Sequence, residues 1–305
     1  MSDSLPLENE HRPVAIVVIG MAGAGKSTFV SALYTYLATV AKKRVYCINI
    51  DPAVDNVNFP CNIDIRDTVN YREVMKEYGL GPNGAILTSL NLFATRFDGV
   101  LNLLERRMLE LDYVLIDTPG QIEVFNWSAS GTIILDTLAL VVPATLVYLV
   151  DSVRCQRPTT LMSSLLYASS LTLKSKLPCL NVFTKTDLAS SKPLEDMIQD
   201  YAAFCDAAEQ EDTYAASMAK SCCLALSPFY TTIPRTAVAI NGETRTLTGF
   251  ERCTELIQDL KKEYFSDYLP WIKKKREDVE KKKVQDAKEQ LSKFDAECDD
   301  DSDAE

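Results

Sequence analysis

The stretch Gly20-Met21-Ala22-Gly23-Ala24-Gly25-Lys26-Ser27 decides the fold of this 305-residue chain. It follows a continuous apolar run at 14–19, typical of a strand covered on both faces, and precedes an amphipathic segment at 28–40. Glycines at this spacing let backbone amides point at phosphates, while the lysine bridges the outer phosphates and the serine hydroxyl binds magnesium. The placement between a strand and a helix argues against a chance glycine-rich turn. The residues expected to contact a nucleotide here are Gly23, Ala24, Gly25, Lys26, Ser27 and Thr28.

Further apolar runs alternate with segments of helical character along the chain. They occupy residues 45–50, 113–116, 145–150 and 180–183. Strands that alternate with helices predict a parallel sheet with right-handed crossovers. The expected fold class is therefore α/β: a three-layer P-loop NTPase fold with a mainly parallel sheet flanked by helices, plus helical insertions.

The remaining pattern predicts one large domain with short appendages. Past residue 189 it indicates a helix at 194–219, a strand at 236–240, and one long helix or two at 250–288, bent near Pro270. We expect a flexible N-terminus at 1–12, the P-loop domain at 13–270, a charged helix at 271–294 and an acidic, disordered tail at 295–305. The lysine runs at 273–276 and 281–283 fit a solvated helix face better than a nuclear import signal.

Composition argues against several classes of function. A formal net charge of −11 disfavours direct nucleic-acid binding, because neutralising phosphates needs a basic surface. Nine cysteines without a CxxC pair, and His11 as the one histidine, disfavour a zinc site or a histidine-based triad. No secretory leader opens the chain, so we expect reduced thiols and a cytoplasmic protein. The apolar stretch at 133–150 contains Asp136 and Pro143, which fit a helix and then a buried strand better than a membrane span.

A second motif, Tyr113-Val114-Leu115-Ile116-Asp117-Thr118-Pro119-Gly120-Gln121, is an apolar strand that ends in an acid and continues into a glycine-containing loop. Asp117 is expected to hold magnesium through water, and Gly120 to present its amide to the terminal phosphate. The alternative is an aspartate that only caps the next helix. Because the chain carries this motif together with the glycine-rich loop, the metal-binding interpretation is favoured.

Three side chains are candidates for positioning an attacking water. Asp51 directly follows the strand at 45–50, and ligands collect at the carboxyl ends of strands in an open α/β sheet. It could also support magnesium. Gln121 and Glu123 lie just past Asp117. Phosphoryl transfer depends on positioning and electrostatics rather than on one strong base, so the spacing leaves the choice among the three open.

Base choice is expected at Thr184-Lys185-Thr186-Asp187, after the strand at 180–183. A carboxylate accepts hydrogen bonds from N1 and the exocyclic amine of guanine, and adenine lacks that pair of donors. Asp187 therefore favours GTP, with an ordinary loop aspartate as the alternative. GTPases usually carry asparagine where this chain has Thr184, so we expect the loss of a bracing amide and weaker guanine discrimination. Lys185 completes the base-binding set.

Over residues 14–270 the sequence resembles the GPN-loop GTPases, whose name comes from the tripeptide found here as Gly81-Pro82-Asn83. The other matching stretches are residues 49–54, 62–67, 88–95 and 117–123. Residues 93–98 and 127–131 resemble the first eukaryotic paralogue, which is linked to RNA polymerase II assembly and nuclear import. The resemblance implies RNA polymerase II subunits or assembly factors as partners, and a cytoplasmic protein that shuttles to the nucleus.

The resemblance also implies a dimer, either a homodimer or a heterodimer with a paralogous GPN-loop GTPase. In the family, the loop at 81–83 reaches across the dimer, so Asn83 is expected to point outward, unpaired, and to act as a hydrogen-bond donor at the partner's terminal phosphate. Met21 fits this expectation. Dimeric targeting ATPases carry at this position an extra lysine that reaches across their interface. This chain lacks that lysine, so another group, here Asn83 of a second subunit, must close the site. Residues 240–243 replace the family's Ser-Ala guanine loop, which leaves Asn241 as the expected contact to the base.

Together these features predict an enzyme that hydrolyses GTP with the help of Mg²⁺. One rival is a P-loop kinase or an ATPase targeting factor, from which Asp187 and Met21 distinguish the chain. The other is a scaffold that binds nucleotide without turnover. No direct contact with nucleic acid or with a membrane is expected.

Overall fold

A computed structural model describes residues 12–211, 213–241, 246–275, 277, 278 and 281. His11, nearly all of the predicted N-terminal segment, most of the charged helix at 271–294 and the acidic tail at 295–305 lie outside these residues. The chain divides into two compact units, Met1–Tyr264 and Phe265–Glu305.

The first unit contains the sheet that the apolar runs predict. Within the described residues the main sheet has seven strands in the order β3-β2-β4-β1-β5-β6-β7, and every neighbouring pair is parallel. The strands are β1 (Val14–Gly20), β2 (Val45–Asn49), β3 (Ile63–Asp64), β4 (Tyr113–Asp117), β5 (Ala144–Asp151), β6 (Cys179–Thr184) and β7 (Arg235–Ala237). An antiparallel hairpin of β8 (Ala239–Ile240) and β9 (Leu247–Thr248) follows.

Helices cover both faces of this sheet. They are α1 (Lys26–Thr35), α2 (Tyr71–Glu77), α3 (Pro82–Ala94), α4 (Phe97–Arg107), α5 (Ile122–Asn126), α6 (Ala129–Val141), α7 (Pro158–Ser175), α8 (Lys192–Gln199), α9 (Tyr201–Glu209), α10 (Tyr214–Tyr230) and α11 (Phe250–Glu263). All positions of β1 are buried, which explains its continuous apolar run. On one face α1 and α11 pack together, with the rings of Phe29 and Phe250 stacked at 5.7 Å between centroids. The predicted α/β fold class is confirmed.

Two predicted elements are wrong in detail. The helix expected at 194–219 is divided among α8, α9 and α10, because local caps interrupt the apolar pattern. Asp200 accepts a hydrogen bond from the Ala202 amide at 2.9 Å, and Thr213 accepts one from the Ala216 amide at 3.1 Å, so each begins a new helix. The strand expected at 236–240 is also divided. At Val238 the chain leaves the main sheet, and the hairpin begins.

The C-terminal prediction is only partly covered by the described residues. α11 is followed by a π-helical turn at Tyr264–Tyr268, and residues 269–275 are helical. In the second unit the Lys275 ammonium lies 5.0 Å from the centre of the Trp271 ring, a cation–π contact. Within the described part of the chain, no helix has both the length and the apolar character that a bilayer span would need.

Candidate functional site

The loop between β1 and α1 has the backbone form that its glycines predict. Gly23 and Gly25 have φ angles of 81° and 89°, a left-handed conformation that glycine adopts without steric cost. Gly25 is the N-cap of α1, which begins at Lys26. Ala24 is buried, whereas Gly23 and Thr28 are exposed. The loop therefore turns sharply enough to direct its amides, together with the N-terminus of α1, at an anion.

Lys26 lies across the mouth of this loop. Its ammonium donates hydrogen bonds to the carbonyl oxygens of Gly20 at 2.8 Å, Met21 at 3.2 Å and Gly120 at 3.2 Å. Burial lowers the pKa of Lys26, and the charges of Asp117, Asp51 and Glu123 oppose that shift in this order of strength. A single ammonium thus connects the glycine-rich loop to the loop that follows β4, and three predicted site acids surround it.

Ser27 and Asp117 meet as the two motifs require. The Ser27 hydroxyl donates to Asp117 Oδ2 at 2.6 Å. Burial raises the pKa of Asp117 to about 6, with the Ser27 hydrogen bond opposing and the Asp51 charge adding to the shift. Asp117 Oδ1 is buried without a hydrogen-bond partner in the described residues. An oxygen that is desolvated and unpaired beside a second acid provides a site for a cation.

The donor set fits Mg²⁺. It consists of a hydroxyl and carboxylates, which are hard oxygen ligands, and Mg²⁺ in nucleotide sites completes its octahedron with water and phosphate oxygens. In the part of the chain that the structure describes, no group of three or more His, Cys, Asp or Glu side chains could hold a metal ion by itself. Ser27 and Asp117, with Asp51 nearby, would therefore hold Mg²⁺ jointly with a nucleotide rather than in a closed protein cage.

Asp51 sits in a tight turn at the end of β2. Its carboxylate accepts a hydrogen bond from the Ala53 backbone amide at 2.9 Å. Burial raises its pKa, and the Ala53 amide and the Lys26 charge oppose the shift. The Ile50 backbone amide donates to the Asp117 carbonyl at 3.0 Å, so the start of this turn is joined directly to the end of β4.

Sequence reasoning assigned no role to the side chains that hold this turn. Asn49 is fully buried, and its amide oxygen accepts a hydrogen bond from the Asp51 backbone amide at 3.1 Å. Its nitrogen donates to the Asp51 carbonyl and to Asp64 Oδ1, both at 3.1 Å. Asp64 in turn pairs with Arg66 at 2.7 Å, and Arg66 donates to the carbonyls of Val54 and Asp55. The pairing of β2 with β3 brings these residues together.

Asn83 is the second residue of α3, with Gly81 as N-cap and Pro82 as the first helical residue. It is exposed, as expected, but the oxygen of its side-chain amide has a partner. Gln121 Nε2 donates a hydrogen bond to Asn83 Oδ1 at 2.6 Å within the same chain. The GPN tripeptide therefore contacts the loop that also carries Gly120, and Glu123 follows in the first turn of α5.

Thr184 braces the glycine-rich loop, which corrects the expectation that this position loses a bracing group. Its buried hydroxyl lies 2.9 Å from the Ala24 carbonyl oxygen and 3.3 Å from that of Val150. Lys185 adds a second tie, because its ammonium donates to the Gly23 carbonyl at 2.8 Å and pairs with Asp151 at 2.7 Å. A hydroxyl can thus do the structural work expected of an asparagine.

Asp187 and Asn241 lie on neighbouring loops beyond β6 and β8. Asp187 is exposed, two residues past Lys185. The Thr186 hydroxyl donates to the Val238 carbonyl at 2.8 Å, which ties this loop to the chain that enters the hairpin. The backbone amide of Asn241 donates to the Thr246 carbonyl at 3.2 Å. Residues 242–245 lie outside the described part of the chain.

Comparison with known proteins identifies relatives over most of the chain. A protein family described as a conserved hypothetical ATP binding protein matches residues 18–263. GPN-loop GTPase 1 of Dictyostelium discoideum is 46% identical over 269 residues, which is 88% of this chain and 67% of that protein. GPN-loop GTPase 1 of Schizosaccharomyces pombe is 42% identical over 297 residues, covering 94% and 79% respectively. The apo crystal structure of a GTPase from Pyrococcus abyssi has a TM-score of 0.67 at 27% identity, covering 81% of this chain and 96% of that one.

Proposed function

Because this chain belongs to the GPN-loop GTPases, as a member of their first paralogue, we propose that it is a GTP-driven switch in the assembly and nuclear import of RNA polymerase II. The chain binds GTP and is a GTPase. The client is supported by the resemblance of residues 93–98 and 127–131 to the first paralogue. We infer a cytoplasmic protein that shuttles to the nucleus, with RNA polymerase II subunits or assembly factors as partners.

One observation carries the catalytic proposal: Lys26 and the Ser27–Asp117 pair lie in one place, where the loops after β1, β2 and β4 meet. The Lys26 ammonium, now shared among three carbonyls, is placed to bind the outer phosphates. The glycine-rich loop offers its amides to the same oxygens. These contacts neutralise charge in a site whose acids would otherwise repel a nucleotide.

Mg²⁺, when bound, would neutralise phosphate oxygens and the charge that develops on the leaving group. Ser27 and Asp117 would hold it, with Asp51 in support. We assign metal support to Asp51 because it lies two residues past the end of β2, whose last residue, Asn49, is paired with Asp117 of β4. The Ile50 amide, which donates to the Asp117 carbonyl at 3.0 Å, holds this strand end against β4.

Gln121 and Glu123 are then the side chains that position the attacking water. Both follow the loop whose Gly120 carbonyl accepts a hydrogen bond from Lys26. The contact that orients the phosphate-binding lysine therefore also fixes the position of these two residues. The amide of Gln121 can donate to a water oxygen and accept from it, and the Glu123 carboxylate can accept a proton. Asn83, in contact with Gln121, supplies a further amide that can donate to developing charge.

A guanine base is favoured although the matching family is described by ATP. Asp187 offers the two acceptor positions that guanine N1 and its amine require. Asn241 lies on the adjoining hairpin, and Thr184 and Lys185 fix the intervening loop against the glycine-rich loop. Competition between GDP and ADP for the purified chain tests this choice. Tighter binding of ADP would refute it and would favour a kinase or an ATPase targeting factor.

Turnover is tested by single variants of the proposed hydrolytic residues. Asp51→Ala, Gln121→Ala and Glu123→Ala should each lower kcat at least about tenfold, because each removes a group that positions the water or the metal. GDP affinity should change less than kcat. Wild-type rates in all three variants would refute the assignment of these residues. If the wild-type chain itself does not hydrolyse GTP with Mg²⁺, the alternative function, a scaffold that binds nucleotide without turnover, would be favoured.

The client is tested by purifying the tagged chain from its own cells in GTP-bound and GDP-bound forms. We expect RNA polymerase II subunits or assembly factors to co-purify, in amounts that differ between the two nucleotides. Equal recovery with both nucleotides, or no recovery, would contradict a nucleotide-dependent role with this client.

A further inference from the structure

We propose that Tyr167 is a positioning residue for GTP hydrolysis, acting through Glu123, and this inference rests on the role proposed for Glu123. Tyr167 belongs to α7, the helix that follows β5 and its 3₁₀ turn at Arg154–Gln156. Glu123 belongs to α5, directly after the loop that contacts Lys26. The two residues are 44 positions apart in the sequence, so their contact exists only in the folded chain.

The contact joins a phenol to one oxygen of the carboxylate. The Tyr167 hydroxyl donates to Glu123 Oε1 at 3.3 Å, in a partly buried position. Partial burial and the Glu123 charge raise the pKa of Tyr167, so the phenol stays protonated and remains a donor. With Oε1 held in this way, Oε2 remains for a water. The distance is long for a hydroxyl donor, and catalytic hydrogen bonds often shorten only in the reacting complex.

The ring of Tyr167 makes a second contact, at the other end of the same short helix. It packs against Trp127, the C-cap of α5, with ring centroids 5.9 Å apart. The Trp127 amide donates to the Glu123 carbonyl at 3.1 Å, so the two ends of α5 are also joined by backbone. α5 has only five residues, too few for a helix to be stable by itself. Tyr167 therefore fixes where α5 lies as well as how Glu123 is turned.

The charge of Glu123 reaches the reacting end of the site. It acts on the Lys26 ammonium, which bridges the glycine-rich loop and Gly120. A change in the direction of the Glu123 carboxylate would alter both the position of the attacking water and the field at Lys26. A misplacement of about 1 Å at such a group can cost a large factor in rate.

The variant Tyr167→Phe isolates the hydroxyl, because phenylalanine keeps the ring against Trp127. We expect kcat to fall about three- to tenfold, the range for losing one hydrogen bond of ordinary net strength, with KM for GTP and the Kd for GDP unchanged. Thr159→Val is the matched control. It removes another side-chain hydrogen bond of α7, from Thr159 to Glu211 at 3.0 Å, and should keep the wild-type kcat.

A double-mutant cycle separates positioning from a general effect on stability. If Tyr167 acts through Glu123, Tyr167→Phe should have no further effect on kcat once Glu123→Ala, which removes the acceptor of the Tyr167 hydroxyl, is present. A wild-type kcat in Tyr167→Phe, or a full additional loss in the double variant, would overturn the inference while leaving the role of Glu123 intact. A wild-type kcat in Glu123→Ala would instead refute the Glu123 assignment and this inference with it.

Discussion

Thr184 shows at the scale of a single residue how a departure from a motif can preserve its function. Its hydroxyl reaches the Ala24 carbonyl, and Lys185 beside it reaches the Gly23 carbonyl. When these oxygens are held on the outside of the loop, the following amides are directed to the inside, where phosphates bind. Thr184, which we expected to weaken base recognition, instead connects the glycine-rich loop to the end of β6, just before the loop that carries Asp187.

Thr184→Val should therefore weaken both stability and nucleotide binding. The substitution keeps the side-chain shape but removes a buried donor, at a cost of about 1–2 kcal/mol of unfolding free energy and about three- to tenfold in the Kd for GDP. Chemical denaturation and GDP titration measure the two effects. Thr184→Ser keeps the hydroxyl and should restore most of both, so equal losses in the two variants would show that the hydroxyl is not the cause.

The Asp64–Arg66 pair should give the chain a defined pH dependence. Partial burial acts to raise the pKa of Asp64, and hydrogen bonds from Arg66 and Asn49 outweigh it, so the folded pKa lies below the unfolded one. The stability from this pair is present above the unfolded pKa of about 3.9 and is lost as pH falls through the folded value. Asp64→Asn should cost about 1 kcal/mol at pH 7, and its difference from wild type should shrink as pH falls below the unfolded pKa of about 3.9.

Denaturation of both proteins across this pH range measures the difference. Asp259→Asn is the control, since it removes the acid of an exposed pair with Lys262 at 2.9 Å and should leave stability unchanged throughout this range. A penalty for Asp64→Asn that does not shrink as pH falls below about 3.9 would mean that the ion pair does not supply it.

Part of this site follows from sequence alone and part does not. Ser27 and Asp117 were predictable partners because both motifs have a fixed spacing from the ends of their strands. Asn49 and Asp64 were not, because their contact depends on the pairing of β2 with the two-residue strand β3, which leaves no apolar pattern to detect. The Asn83–Gln121 contact likewise depends on how α3 packs beside the loop after β4.

At the scale of an element, the hairpin β8–β9 depends on one glycine. Gly249 has a φ of 82°, and a Cβ atom there would lie 2.0 Å from the Ala237 carbonyl oxygen. The backbone of the β7 end thus passes too close for any side chain. Gly249 also caps α11, so the position connects the main sheet, the hairpin that carries Asn241 and the next helix.

Gly249→Ala should be strongly destabilising, by about 3 kcal/mol or more, because both the left-handed backbone and the close carbonyl oppose a Cβ. Gly79→Ala is the matched control. Gly79 also has a positive φ, of 61°, but its Cβ would have open space, so the cost should be near 1 kcal/mol. Similar losses in urea denaturation for the two variants would contradict the role assigned to the carbonyl contact.

The strands were more predictable than the helices for a physical reason. Strands covered on both faces read as continuous apolar runs, and the long strands of the sheet, β1, β2, β4, β5 and β6, were found this way. The helix boundaries within 192–230 depend instead on single capping side chains, Asp200 and Thr213. The apolar periodicity of the sequence does not reveal such caps. The departure at Val238 depends on tertiary contacts with Phe183 and Thr186.

At the scale of the whole molecule, the question is whether Asn83 acts within its own chain or on a partner. Its contact with Gln121 places it in its own subunit, beside the loop that positions water. The family resemblance places it at the terminal phosphate of a partner. The two placements are compatible when the Gln121 contact fixes the direction of the exposed Asn83 side chain before a partner binds. We propose that Asn83 acts in trans when a dimer forms.

Mixing two inactive variants tests action in trans. Asn83→Ala and Glu123→Gln should each have low kcat alone. In a mixed dimer, one site combines the intact Glu123 of one subunit with the intact Asn83 of the other, so an equal mixture should recover about a quarter of the wild-type rate if subunits pair at random. Asn91→Ala, an exposed asparagine later in α3, is the control and should keep full activity. A mixture no faster than its components would contradict a homodimer with Asn83 in trans.

The most direct test of the central claim is hydrolysis of GTP and ATP by the purified chain, side by side, with and without Mg²⁺. The geometry of Lys26, Ser27, Asp117 and Asp187 predicts Mg²⁺-dependent turnover of GTP, with kcat/KM for ATP lower by about a hundredfold or more, because adenine lacks the donor pair that Asp187 accepts. Equal or faster turnover of ATP, or GTP turnover that persists when Mg²⁺ is chelated, would contradict the account.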